Sequence, residues 1–344
     1  MSAETSSKTP ITLRALNGAI GRTAVWVSCW LIFELLALTV AMGWFDWMSG
    51  SIGHRYAPGS LMTDLGANFR IDHGESMGAA SEYAAGLGAT LAFLALLFGA
   101  FTGGGWLQIV LERTEGRSLR RFFGGGARFF WRFLRLMVLQ MLLLALLGWI
   151  VYEMPWNELV LGRWFDVPKG DYSELETLDS EATVRTLGWV QDGLFATLFA
   201  LVSAWSLYSR TRLALHDTQS ALWAGICTLA TLFRHPIRVL RPLVLLFAVD
   251  LGVVLLCGRL LSGFEDGLGP ETGFATLAAI FAIGRFAVAI RHLTRGARYY
   301  AAVHVSRELV RPIAKPDPWK ESIGGPGGPR YPLEDDEFAA LVRG

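Results

Sequence analysis

The chain has 344 residues, of which 52% are hydrophobic and 18% charged, with a formal net charge of +1. This surplus of apolar over charged residues, with a positive mean hydropathy, excludes an ordinary soluble domain and points to a membrane protein. Cys29, Cys227 and Cys257 share no CxxC spacing and no His cluster, which supports neither a zinc site nor a disulfide framework; they read as small apolar packing residues.

In chain order, residues 1–10 are polar and read as a flexible N-terminus, 11–311 as a six-span membrane domain, and 312–344 as a flexible cytoplasmic tail. Leu13, Leu16 and Ile20 put an apolar face on a short first helix whose other face holds Arg14, Asn17 and Arg22. The first span covers 24–44 and ends in Trp44, Phe45 and Trp47, an aromatic cluster suited to a membrane boundary. It is long enough to cross, and no small-residue cleavage site follows a short apolar core, so it reads as an uncleaved helix. A polar loop, 46–83, leads to the second span, 84–107, where Gly99 and Gly103 form a small-xxx-small pair for close helix approach. The third span is 133–151, followed by an acidic loop over 152–186, and the fourth is 187–208. A connecting helix, 217–235, stops at Pro236; the fifth and sixth spans, 243–261 and 274–290, enclose a brief acidic, Gly-rich loop. Residues 291–311 continue as a basic helix to Pro312, and GGPGGP at 324–329 marks the tail as flexible.

The stretch 117–136, RSLRRFFGGGARFFWRFLRL, organises the rest. At about 100° per residue, Arg117, Arg120, Arg121, Arg128, Arg132 and Arg135 fall within an arc of about 120°. Leu119, Phe122, Phe123, Phe129, Phe130, Phe133 and Leu134 fill the opposite side. Such a helix is expected to lie in the headgroup plane, rings toward the acyl chains and guanidiniums on phosphates. That makes the six arginines the expected headgroup-binding residues and anionic membrane lipids the expected partner. An aromatic face running straight into a span argues against nucleic acid.

Orientation follows from charge. Loops and ends on the N-terminal side carry 24 Lys and Arg, and the three opposite loops carry five, against sixteen carboxylates. The positive-inside rule therefore predicts both termini in the cytoplasm. The layout also repeats as amphipathic helix, span, outer loop and returning span over 11–114, 115–218 and 219–311, a threefold two-span repeat. The connectors ARFFWRFLRL and RTRLALHDTQSALWAGICTLATLFRHPIRVLRP resemble those of uncharacterised bacterial six-span families, including the membrane domain that precedes the catalytic part of some glycerophosphodiester phosphodiesterases. The resemblance covers roughly 110–310 and implies a helical membrane domain. Since a short tail rather than a catalytic barrel follows Pro312, it transfers neither that activity nor any functional residue.

Glu34, Asp250 and Arg285 are ionisable residues within spans, where charge is costly, and they form the expected intramembrane polar centre. Counted from the expected span ends, Asp250 and Arg285 lie at matching depth, which predicts one ion pair between them. Such a pair either fixes helix register or serves a proton or substrate relay. In the first outer loop, His54, Asp64, Asp72, His73 and Glu75 are acceptable metal ligands, but their spacing fits no compact motif and they read as a solvated loop. No GxSxG, HExxH or phosphate-cradling loop occurs. GGG at 103–105 and 124–126 reads instead as a place for close packing and a bend. His216 and His304 stand at equivalent span exits as capping or headgroup-facing residues. The acidic end of the tail, LEDDEFAALVRG, offers a docking segment for a cytoplasmic protein partner or is simply solvated.

The expected fold is an all-α polytopic bundle of six transmembrane helices with cytoplasmic amphipathic connectors, in a bacterial inner membrane. The expected role is non-enzymatic, organising lipid or partner proteins, with no catalytic residue, metal or cofactor. The alternative is a small-solute or lipid transporter working through Glu34, Asp250 and Arg285.

Overall fold

The computed structural model describes residues 10–51, 67–112, 118–165, 180–217, 220–265, 267 and 273–309. They are helical nearly throughout, without a strand among them. The main helices are α1 (Ile11–Ile20), α2 (Thr23–Ser51), α3 (Ala67–Glu112), α4 (Ser118–Tyr152), α5 (Glu181–Leu215), α6 (Ala221–Arg234), α7 (Pro236–Glu265) and α8 (Phe274–Leu309). A short helical turn, a π-helical turn at Asn157–Leu161 and a second short turn follow α4. Six helices, α2, α3, α4, α5, α7 and α8, contain stretches long and apolar enough to cross a membrane.

These helices outrun the spans expected from hydropathy. At 1.5 Å per residue, α3 is about 69 Å long and α8 about 54 Å, against about 30 Å of hydrocarbon. The polar stretch 67–83, expected as loop, is the first part of α3, and α5 begins at Glu181 rather than at residue 187. The connecting helix is observed as α6, and its first turn is capped by Ser220 Oγ, which accepts from the Trp223 amide at 3.2 Å. Pro236 then starts α7, a position where its missing amide hydrogen costs nothing. The N-terminal nine residues, Arg117, His54, Asp64 and the tail from 310 lie outside the described residues.

Burial divides the long helices in two. Ala100, Trp106 and Leu107 of α3, Phe122, Phe129 and Phe133 of α4, Leu213 of α5 and Tyr299 and Val303 of α8 form one buried cluster. These residues lie near the basic ends of the helices. The apolar windows of the six spans, by contrast, have between none and 22% of their residues buried. Their exposed Leu35, Phe93, Leu142, Trp189 and Phe281 present apolar surface outward, as lipid-facing spans must. Each fully buried Phe at the packed end contributes about 1.5–3 kcal/mol relative to exposure.

The packing at α3 and α4 corrects two expectations. Gly104 and Gly125 meet backbone to backbone: a Cβ on Gly104 would stand 2.7 Å from the Gly125 carbonyl oxygen. A Cβ on Gly126 would meet the Phe101 ring at 2.6 Å. The two GGG runs thus pack on each other, and α4 runs through its run as unbroken helix. Gly99 and Gly103, expected as the close-approach pair, instead make room for side chains of α8. Added Cβ atoms there would meet Arg295 Nη2 at 3.1 Å and the Tyr299 hydroxyl at 2.6 Å. The Phe rings of the basic helix were expected to face acyl chains. Phe122, Phe129 and Phe133 are at most 2% exposed and face protein, because they fall on the arc that meets the glycines of α3. Leu119, Phe123 and Trp131 remain outside.

Helix α8 touches α1, α2, α3, α5 and α7, so it is the element on which the others converge.

Candidate functional site

The convergence on α8 explains how the charges it carries are arranged. Arg285, Arg295 and Arg298 occupy one helix, and at 100° per residue Arg298 points about 140° away from Arg285. They therefore meet different neighbours. Arg285 Nη1 bonds Glu34 Oε2 on α2 at 2.5 Å, and Trp30 Nε1 donates to the other carboxylate oxygen at 2.8 Å. Arg298 Nη2 donates to Asp250 Oδ2 on α7 at 2.8 Å. Arg295 Nη2 donates to the Gly99 carbonyl oxygen at 3.2 Å.

The expected Asp250 to Arg285 pair does not form. Its premise was depth counted from span ends at 243 and 290, yet α7 starts at Pro236 and α8 runs on to Leu309. Counted along the real helices, Asp250 is about 21 Å from the start of α7, Arg298 about 16 Å from the end of α8 and Arg285 about 36 Å. Antiparallel packing of α7 on α8 brings Arg298 level with Asp250. Glu34, Asp250 and Arg285 are thus members of two separate pairs, each closed by a half-buried arginine. Asp250 Oδ1 and the Nε atoms of Arg285 and Arg298 are buried without hydrogen-bond partners.

Sequence reasoning also missed a polar knot at the packed end. Arg210 of α5 donates from Nη1 to the Tyr299 hydroxyl oxygen at 3.3 Å and from Nη2 to Gln140 Oε1 at 3.5 Å. Ser206 Oγ donates to the same Gln140 oxygen at 2.6 Å. The guanidinium also lies over the Phe133 ring, 6.0 Å from its centre. Arg210 escapes a reading of local sequence because its partners come from two other elements, α4 and α8. What could have been read is that Tyr299 and Arg298 adjoin on a stretch too polar to be hydrocarbon-embedded.

On the basic helix, the structure separates the arginines by task. Arg121 pairs with Glu112, and Arg128 and Arg132 converge on Asp217, at 3.8 and 2.5 Å. Arg120 and Arg135 are exposed, as are the neighbouring Leu119, Phe123 and Trp131. Such partly solvated pairs contribute about 0–1 kcal/mol each, so α4 is held by its buried aromatic face. Of the outer-loop candidates, His73 and Glu75 lie on α3, as does Asp72. Among the described residues no group of three His, Cys, Asp or Glu is placed to hold a metal ion.

At the exit of α5, His216 caps the helix through its backbone amide on the Arg212 carbonyl oxygen at 3.1 Å. Partial burial, and then the Arg212 charge, hold its imidazole below the ordinary value.

These features define a class: a multi-pass membrane protein with six long apolar helices, two interhelical ion pairs and an arginine-rich packed end. No protein-family model matches the chain, and no curated protein or solved structure matches it.

Proposed function

We propose that this is a lipid-organising protein of a bacterial cytoplasmic membrane, without catalytic activity, its termini and arginine-rich end on the cytoplasmic side. One observation carries the reading. Arg120, Arg128 and Arg135 are exposed on the same helix as exposed Leu119, Phe123 and Trp131, so cations and membrane-seeking side chains share one surface. That combination suits the headgroup level, where each basic residue near an anionic leaflet contributes about 1 kcal/mol. Arg128 reaches Asp217 only at 3.8 Å and is more than half exposed, which leaves its outer face open to phosphate.

The test is lipid selectivity of the full-length protein in nanodiscs made from phosphatidylglycerol and phosphatidylcholine. The triple variant Arg120→Gln, Arg128→Gln, Arg135→Gln should lose most of the enrichment of phosphatidylglycerol around the protein. Unchanged enrichment would sink the reading. The sidedness is tested by accessibility labelling of Ser173→Cys, which should react from the periplasmic side alone.

A transporter reading has one observation behind it. Asp250 keeps one buried carboxylate oxygen without a hydrogen-bond partner beside Arg298, an arrangement that an ion or proton could exploit. Uptake of a labelled solute into proteoliposomes, abolished by Asp250→Asn, would favour it over the lipid reading.

A further inference from the structure

Helix α6 has 14 residues and is about 21 Å long, too short to cross a bilayer. It is nevertheless apolar on two sides. At about 100° per residue, Ala224, Gly225, Thr228 and Leu232 fall within an arc of about 100°, and all four are buried. Leu222, Trp223, Ile226, Leu229 and Phe233 fall within a separate arc of about 120°, and they are between 44% and 75% exposed.

A close contact fixes which side faces inward. Gly225 lies on the Trp205 ring of α5, where a Cβ would stand 2.7 Å from Cζ2, and Trp205 Nε1 donates to the Gly225 carbonyl oxygen at 2.9 Å. Thr228 Oγ donates to the Ala224 carbonyl oxygen at 2.7 Å, so this buried hydroxyl is satisfied within the helix. The small side of α6 is thereby clamped to α5, and its large side chains are turned outward.

Five large apolar side chains on one exposed face mark a contact surface. Two features bear on which occupant fits it. First, only His235 separates α6 from α7, whose Ile237, Val244, Leu245 and Phe247 are exposed as well. The uncovered apolar surface therefore runs on into a helix long and apolar enough to cross a membrane. Second, Arg234, Arg238 and Arg241 are exposed at this junction and form no ion pair with any described residue. No Asp or Glu occurs between Asp217 and Asp250 to neutralise them locally. An apolar face, carrying a Trp and followed directly by cations, complements a surface that is hydrocarbon within and anionic at its edge.

We propose that α6 is a shallow membrane anchor: Leu222, Trp223, Ile226, Leu229 and Phe233 enter the acyl boundary of one leaflet, and Arg234, Arg238 and Arg241 engage the phosphates of anionic phospholipids beside it. This deepens the lipid-organising reading and rests on its premise that the protein meets an anionic leaflet, but it uses residues other than Arg120, Arg128 and Arg135.

The experiment uses the full-length protein, one copy per nanodisc, in phosphatidylglycerol and phosphatidylcholine. A nitroxide is attached in turn at Ile226→Cys, at Phe233→Cys and, as a lipid-facing reference, at Leu142→Cys, each with Cys227→Ser because Cys29 and Cys257 are buried. Collisions with dissolved oxygen should exceed those with an aqueous nickel chelate at both α6 positions, as at the reference. Dominant nickel collisions at either α6 position, the result for an open docking face that awaits a soluble protein, would overturn the proposal. Spin-labelled phosphatidylglycerol and phosphatidylcholine then report headgroup preference. The variant Arg234→Gln, Arg238→Gln, Arg241→Gln should lower the preference for phosphatidylglycerol about twofold or more. The variant Arg234→Lys, Arg238→Lys, Arg241→Lys should keep it, which separates charge from folding. A preference unchanged by the Gln variant would also overturn the proposal. Nickel access to α6, with the preference lost only on changing Arg120, Arg128 and Arg135, sinks the anchor and spares the surface reading. Oxygen-dominated α6 positions, with the preference lost only on changing Arg234, Arg238 and Arg241, keep the anchor and remove the α4 surface from the reading.

Discussion

The basic ends of the long helices and their outer stretches follow different rules within the same elements. At the packed end, Trp106, Phe122, Phe129, Phe133 and Leu213 are nearly or wholly inaccessible, and glycines let α3 and α4 touch backbone to backbone. In the outer stretches, Gly86, Gly88, Gly188, Gly193 and Gly252 have nothing within 4 Å of where a Cβ would be, and Leu35, Leu142 and Trp189 face outward. The difference teaches where the fold's specificity is stored. Spans surrounded by lipid gain little from touching one another, since lipid tails are as apolar as Leu. At the packed end the helices bury side chains against one another, and that burial excludes water.

The largest effect expected from this contrast is on core aromatics. Phe133→Ala should cost about 3–5 kcal/mol and lower the thermal midpoint of detergent-purified protein strongly, whereas Leu142→Ala, on an exposed face, should stay within about 0.5 kcal/mol. Equal losses at the two sites would erase the distinction between the two regions.

The ion pairs should be next in size. Glu34→Gln, Arg285→Met, Asp250→Asn and Arg298→Met should each cost about 3 kcal/mol, the low end for stranding a buried charge because Arg285 is 36% exposed. Glu34→Gln with Arg285→Met, and Asp250→Asn with Arg298→Met, should recover part of the loss. Asp250→Asn with Arg285→Met should add within about 0.5 kcal/mol. Coupling in that last combination would restore the pairing expected from span depth.

Glycine substitution sharpens the contrast further. Gly104→Ala pushes a methyl into the Gly125 carbonyl and should cost about 1–3 kcal/mol. Gly252→Ala meets open space within a helix and should be neutral or stabilising by up to about 1 kcal/mol. Thermal melts of the two single variants compare them directly.

The smallest expected effect is a pH dependence at the packed end. Burial lowers the His216 imidazole below its ordinary value of 6.5, so the folded state resists protonation and the neutral form's contribution is present above that value. It should be lost as the pH falls below about 6.5. His216→Gln should flatten the melting temperature across that window relative to wild type. An unchanged slope would assign the pH response to another group.

The helical, membrane-embedded character of the chain and the existence of six spans were legible in the sequence. They depend on local composition and length, which hydrocarbon selects without reference to any partner. Glu34, Asp250 and Arg285 were recognisable as needing partners for the same reason: the cost of charge in hydrocarbon is a property of each residue alone. Their actual partners were not recognisable, because helix register depends on where α7 and α8 begin and end, and both pass the hydropathy boundary as unbroken helix.

The basic helix at 117–136 shows the division most plainly. Its amphipathic arc belongs to the sequence, but an aromatic face can be satisfied equally by acyl chains or by another helix, and periodicity is the same in both cases. Only the apposition of Gly104 and Gly105 on α3 decided that Phe122, Phe129 and Phe133 face protein. A cavity beside α1 likewise joins residues from opposite ends of the chain, Arg14 and Arg22 with His304 and Arg307. Nothing local links them; the packing of α1 on α8 through Gly18 and Tyr300 does, and that contact exists only in the folded chain.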